Sequence, residues 1–159
     1  MVNPPETRND DSSVSLSLPH VRVLLLDDEP DNLFLRATIL RQHGYDCVPA
    51  TTIDDAIALF NQIDIAVLDY HLGAGPFGTE AATLLRRSRP HVPIIILSAT
   101  LEHFFGGAED MHLLKGHSSI EDILAALSSL EAKRRGAPVV VDARDFFYSR
   151  IAMAIGSDV

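Results

Sequence analysis

Residues 21–30 read VRVLLLDDEP, an almost wholly apolar run that stops on two adjacent acids and then a proline. Three further segments repeat the design. Residues 65–68, IAVL, are followed by Asp69; residues 94–97, IIIL, by Ser98; and Leu113-Leu114 by Lys115. Short apolar runs bounded by polar or turn residues read as buried strands. Helical patterns lie between them, so the strands should form one parallel sheet joined by right-handed crossovers. Such a sheet gathers its functional groups at the carboxyl ends of its strands. One rim then holds three carboxylates, a hydroxyl and an ammonium, the makings of a divalent-metal and phosphoryl site.

The rest of the pattern fits around these runs. Pro30 stands where a helix accepts proline, in its first turn, and Leu33, Ala37 and Leu40 recur on one face until Gly44 stops it. A second strand covers residues 46–49. Thr51 or Thr52 caps the next helix, which sets Ile53, Ala56, Ile57 and Phe60 on one face. A third strand covers residues 64–68. Gly73, Gly75, Pro76 and Gly78 then form a loop before a helix carrying Ala81, Leu84 and Leu85. The fourth strand spans residues 93–97 and the fifth 111–114, with room for about two turns of helix between Ala99 and Asp110. Ser118-Ser119-Ile120-Glu121 reads as a capping box opening a last helix that buries Ile120, Ile123, Leu124, Leu127 and Leu130. The expected fold is α/β: a doubly wound five-stranded parallel sheet with five helices shared between its two faces.

Composition agrees with one core. A chain of 159 residues with 47% apolar content can bury one ordinary core but not two. The net charge of −9 argues against nonspecific nucleic-acid binding as the main activity, since that binding runs on lysine and arginine neutralising phosphates. Arg86-Arg87 with Arg89, and the basic residues 133–135, sit at helix ends, where positive charge suits the dipole. Cys47 is the single cysteine, which excludes an intramolecular disulfide and points to a reducing cytoplasm. It reads as a small core residue of the second strand.

One folded domain flanked by two shorter segments is expected. Residues 1–19, with Pro4, Pro5, Pro19 and four serines, form a disordered lead-in that lacks the apolar centre of a signal peptide. No stretch is long enough to span a membrane. Residues 20–135 form the folded domain. Residues 136–159 form an extension in which Phe146, Phe147, Ile151, Ala154 and Ile155 suit one short amphipathic helix. It is too short for a DNA-binding output domain, and it packs back on the fold, docks a partner or pairs two copies into a homodimer.

The segments 24–30 (LLLDDEP), 67–69 (VLD), 96–99 (ILSA) and 113–115 (LLK) follow one another in an order and near a spacing that resembles the receiver domain of two-component response regulators. The resemblance covers residues 21–135 and implies a flavodoxin-like fold. It implies that Asp69 is the phosphoacceptor and that a magnesium site is formed by Asp27, Asp28, Asp69 and the backbone carbonyl of His71. It sets the Ser98 hydroxyl and the Ala99 backbone N–H against the phosphoryl group, with Lys115 paired to it. It further implies a phosphohistidine donor on a histidine kinase or histidine phosphotransfer protein, and a downstream protein partner. On this reading the chain is not an enzyme but a signalling phosphoacceptor with intrinsic magnesium-dependent self-phosphorylation and dephosphorylation chemistry.

The residue types suit that chemistry on their own terms. A carboxylate can attack phosphorus and become an acyl phosphate. Three clustered acids repel an incoming phosphoryl group, which Mg²⁺ bound to carboxylates, phosphate oxygens and water offsets. Taken singly, each group has an ordinary role as well: the acids as helix caps or turn residues, Ser98 as a loop hydroxyl, Lys115 as a solvated surface charge. A flavin site on this fold is disfavoured, because Asp27-Asp28-Glu29 would repel its phosphate.

Several positions depart from the receiver pattern. Gly116 follows the lysine where the family has a cis-proline, so a trans peptide and a less certain aim for Lys115 are expected. Gly73 stands where a proline is usual. His112 occupies the place of the switch aromatic; its imidazole either rotates inward with a pH-dependent charge or stays an exposed edge-strand residue. His71, at the mouth of the site, shapes water access or simply faces solvent. Gly116 and the short segment left for a helix between Ala99 and Asp110 motivate a second reading beside the stand-alone phosphorylated switch, namely an adaptor of receiver fold that binds partners independently of phosphorylation. The receiver piece of a hybrid kinase is disfavoured by the opening methionine and polar lead-in.

Overall fold

A computed structural model describes residues 20–100 and 107–136. The elements run β1 (Arg22–Leu26), α1 (Pro30–Gln42), β2 (Asp46–Ala50), α2 (Ile53–Leu59), β3 (Ile65–Asp69), α3 (Gly78–Ser88), β4 (Ile94–Ser98), β5 (Met111–Leu114) and α4 (Ile120–Arg134), with a 3₁₀ turn over Phe60–Gln62. All strand pairs are parallel and the order is β2-β1-β3-β4-β5. The lead-in at 1–19, the extension from 137 and most of the helix expected between Ala99 and Asp110 lie outside the described residues.

Strand alternation divides the core in two. Val23, Leu25, Ile65, Val67, Ile95 and Leu97 face α1 and α4, whereas Leu24, Leu26, Ala66, Leu68, Ile94 and Ile96 face α2 and α3. Both faces of β3 and β4 are buried, which is why their sequences read as unbroken apolar runs instead of alternating ones.

Helix ends follow local chemistry. Gly44, at φ +87°, ends α1 in a left-handed turn in which the Gly44 and Tyr45 N–H groups return to the carbonyls of Arg41 and Leu40. Thr52, not Thr51, caps α2, its hydroxyl accepting the Asp55 N–H at 3.1 Å. The capping box of α4 falls one residue later than its sequence suggests: Ser119 N–H donates to Asp122 at 2.7 Å, so the reciprocal acid is Asp122 and not Glu121.

Two helical faces also differ from the periodic reading. Ile57 is exposed, because α2 turns Ala56 against the core, together with Phe60 of the following 3₁₀ turn, and Ile57 lies about 100° round the helix from Ala56. On α3 the small Ala81 and Ala82 lie against the sheet with Leu85, which leaves Leu84 at the solvent margin. Among the described residues no helix is long and apolar enough to cross a membrane.

Candidate functional site

Parallel register brings the strand ends together. Leu26 pairs with Leu68, Asp69 with Leu97 and Ser98 with Leu114, so Asp27, Asp69, Ser98 and Lys115 all emerge at one edge of the sheet. There, one carboxylate oxygen each from Asp27, Asp28 and Asp69 lies within 4.8 Å of the others. Asp27 and Asp69 are buried and Asp28 is exposed, so the cluster opens to solvent on one side.

Cations hold both buried acids. Lys115 Nζ stands 2.6 Å from Asp69 Oδ2. Arg36, reaching in from α1, pairs through Nη1 with Asp27 Oδ2, and Asp27 Oδ1 accepts the Glu29 N–H at 2.9 Å. Burial pushes the Asp69 carboxyl above the usual carboxylate range; the Lys115 hydrogen bond and charge pull it back, Asp27 adds to the rise and Arg36 opposes it.

Lys115 is better aimed than its follower suggests. No peptide bond is cis among the described residues, so Lys115-Gly116 is trans as expected. Gly116 adopts φ +81° as the third residue of a turn in which the His117 N–H donates to the Leu114 carbonyl at 3.2 Å. That turn, and the 2.6 Å bond from the Lys115 N–H to the Ser98 carbonyl, direct the side chain back over the rim. The expectation of a loosely aimed lysine is therefore corrected.

Ser98 is fully buried, and its hydroxyl donates to the Thr100 carbonyl at 2.8 Å. Ala99, next along the rim, is exposed. His71 is exposed, as one of its two expectations had it, and its ring meets Tyr70 and Phe77 at centroid separations of 4.9 and 5.6 Å. A backbone bridge between His71 and Phe77 closes the loop at its base. His112 lies on an edge strand yet is buried, which corrects the exposed alternative. It sits opposite Ile96, two residues back from Ser98, with Nδ1 3.7 Å from Glu109.

Two site residues escape a sequence reading. Arg36 is one, although a charge between Leu33 and Ala37 on an apolar face is a signal that could have been taken up. Gly78 is the other. A Cβ there would lie 2.0 Å from the Asp69 carbonyl oxygen, and its N–H donates to the Tyr70 carbonyl at 2.8 Å, so α3 starts in direct contact with the backbone bearing the central acid. Nothing local in the sequence marks that approach.

The oxygen-only donor set suits a hard divalent cation, and the spread of 4.8 Å is close to the ~4 Å between opposite ligands of one Mg²⁺. The response regulator receiver domain model matches residues 23–108, more than half of the chain. The chain belongs to that family. This receiver is 31% identical over 108 residues to the nitrogen assimilation regulatory protein NtrX of Azorhizobium caulinodans, an alignment covering 66% of this chain and 20% of that protein. The receiver thus spans about a fifth of that curated relative. It also matches almost the whole of several solved receivers. One, from Sinorhizobium medicae, has 28% identity and a TM-score of 0.66, covering 74% of this chain and 99% of that one. Another is TrrA of Thermotoga maritima, solved in complex with Mg(2+)-BeF, with 26% identity and a TM-score of 0.62, covering 69% and 98%. The CheY-like receiver of Methanospirillum hungatei, at 22% identity and a TM-score of 0.68 over 74% and 98%, shares the fold.

Proposed function

We propose that this receiver accepts a phosphoryl group on Asp69 from a phosphohistidine on a histidine kinase or phosphotransfer protein, and signals through protein contacts. The observation that carries the reading is Lys115 Nζ at 2.6 Å from a buried Asp69 within a cluster of three carboxylates. In the transfer, one Asp69 oxygen attacks phosphorus, the P–N bond of the donor breaks and the departing imidazole takes up a proton. Lys115, paired with Asp69 in the resting site, would pass from the carboxylate to a phosphoryl oxygen. The Ser98 hydroxyl would exchange its Thr100 carbonyl for the phosphoryl group, with the Ala99 N–H beside it.

Asp27, Asp28, Asp69 and the His71 backbone carbonyl are the groups that would hold Mg²⁺, and the TrrA complex with Mg(2+)-BeF supports that assignment by similarity. Bound there, the ion supplies neutralisation of the charge that builds during phosphoryl transfer. The alternative, an adaptor indifferent to phosphorylation, drew on Gly116 and on the short segment between Ala99 and Asp110; the Lys115–Asp69 pair favours the phosphoacceptor reading over it. The test is incubation with acetyl phosphate and Mg²⁺ followed by intact mass. Wild type should gain one phosphoryl group and Asp69→Asn none; equal labelling would remove Asp69 from the role.

A further inference from the structure

The geometry points to Arg36 as a built-in counter-cation that competes with Mg²⁺ for Asp27, an inference that rests on the metal reading above. Arg36 lies on α1 between the buried Leu33 and Ala37, on the side of the helix that packs against the sheet. A guanidinium in such a place is costly unless paired. Its partner is Asp27, and the two side chains are 17% and 1% exposed.

Asp27 is thereby already neutralised by the protein. Its Oδ2 holds Arg36 and its Oδ1 holds the Glu29 N–H. Both oxygens belong to one small carboxylate, so an ion bound to either sits beside the guanidinium. Lys115 does the corresponding service for Asp69. Two arms of the same protein thus balance the two buried acids before any metal arrives. Loading requires Arg36 to leave, and its partial exposure gives it a route to solvent. Were Arg36 to stay, a doubly charged ion ~5 Å from its guanidinium would be opposed by about tenfold in affinity even at the dielectric constant of water, so the two do not share Asp27. The site therefore alternates between an arginine-paired and a metal-loaded state, and its magnesium affinity is set as much by a helix α1 residue as by the acids.

The experiment is calorimetric titration of the full-length, metal-free chain with MgCl₂, for wild type, Arg36→Gln and Arg36→Lys, together with thermal melts. Arg36→Gln should bind Mg²⁺ about tenfold more tightly. It should melt lower than wild type without metal and gain more from added Mg²⁺, because ligand linkage scales with affinity. Arg36→Lys keeps the charge and should stay near wild type. Equal affinity in wild type and Arg36→Gln, or a lysine variant that binds as tightly as the glutamine one, overturns the competition while leaving the metal site standing. Absence of binding in every chain overturns the metal reading, and this inference with it. Should Arg36→Gln fail to fold, the Arg36 side-chain N–H resonance of wild type gives the answer: it must shift along the Mg²⁺ isotherm, and a signal unmoved at saturation overturns the proposal.

Discussion

Lys115 Nζ contacts Asp69 Oδ2 at 2.6 Å through a trans peptide whose following residue, Gly116, has φ +81°. A left-handed glycine in a tight turn here does the aiming that the receiver pattern assigns to a cis-proline. Direction depends on the whole turn, including the Lys115 N–H to Ser98 carbonyl bond, and not on one peptide isomer.

Gly116→Pro should therefore damage the site instead of restoring it. Proline fixes φ near about −65°, which the turn from Leu114 to His117 cannot accept at its third position. We expect a lower melting temperature and slower labelling by acetyl phosphate. Gly116→Ala, which meets no atom within 4 Å, should lose only the left-handed penalty of about 1–2 kcal/mol. A proline variant that labels faster than wild type would refute this account of the turn.

Gly78→Ala is expected to cost about 1–3 kcal/mol, because its methyl would collide with the Asp69 carbonyl and force α3 off β3. Chemical denaturation gives the stability, and the amide shifts of Tyr70 and Phe77 should report the displacement. Unchanged stability would mean that α3 slides without resistance.

The raised carboxyl of Asp69 makes stability depend on pH in a defined sense. Below the ordinary carboxylate pKa of about 3.9, folded and unfolded states both carry the proton, and the contribution of the protonated, buried group to stability is fully present. As pH rises past that value and through the higher folded one, the unfolded chain ionises first and the contribution is lost. Metal-free Asp69→Asn should accordingly be more stable than wild type at pH 7, with the gap closing toward pH 4. Melts across this range check it; a wild type that outlasts the asparagine variant at pH 7 would show that the Lys115 pair outweighs desolvation.

Cys47 should be chemically silent in the native state. It is buried in β2 between α1 and the sheet, and burial pushes its thiol up to about 11. Iodoacetamide at pH 8 should label it only after denaturant is added. Rapid labelling of the folded protein would place the β2 edge among the locally opening segments.

The sequence by itself determined the five strands, the sheet they build and the composition of its rim. Those features rest on short-range periodicities: runs such as residues 65–68 declare a strand buried on both faces, and Asp27, Asp69, Ser98 and Lys115 each inherit their position from the run they follow. Capping was legible to within a residue, as Thr52 and Ser119 show, because a cap is a contact across three residues. What only the tertiary structure decided were relations between elements. Arg36 reaches Asp27 because α1 is rotated to present that face, Gly78 meets the Asp69 carbonyl because α3 docks closely on β3, and His112 is buried although β5 is an edge strand. Even the aim of Lys115, which its following glycine left open, is set by a bond from its backbone to a neighbouring strand. Each depends on the rotation and approach of packed elements, quantities that side-chain periodicity along a single segment does not contain.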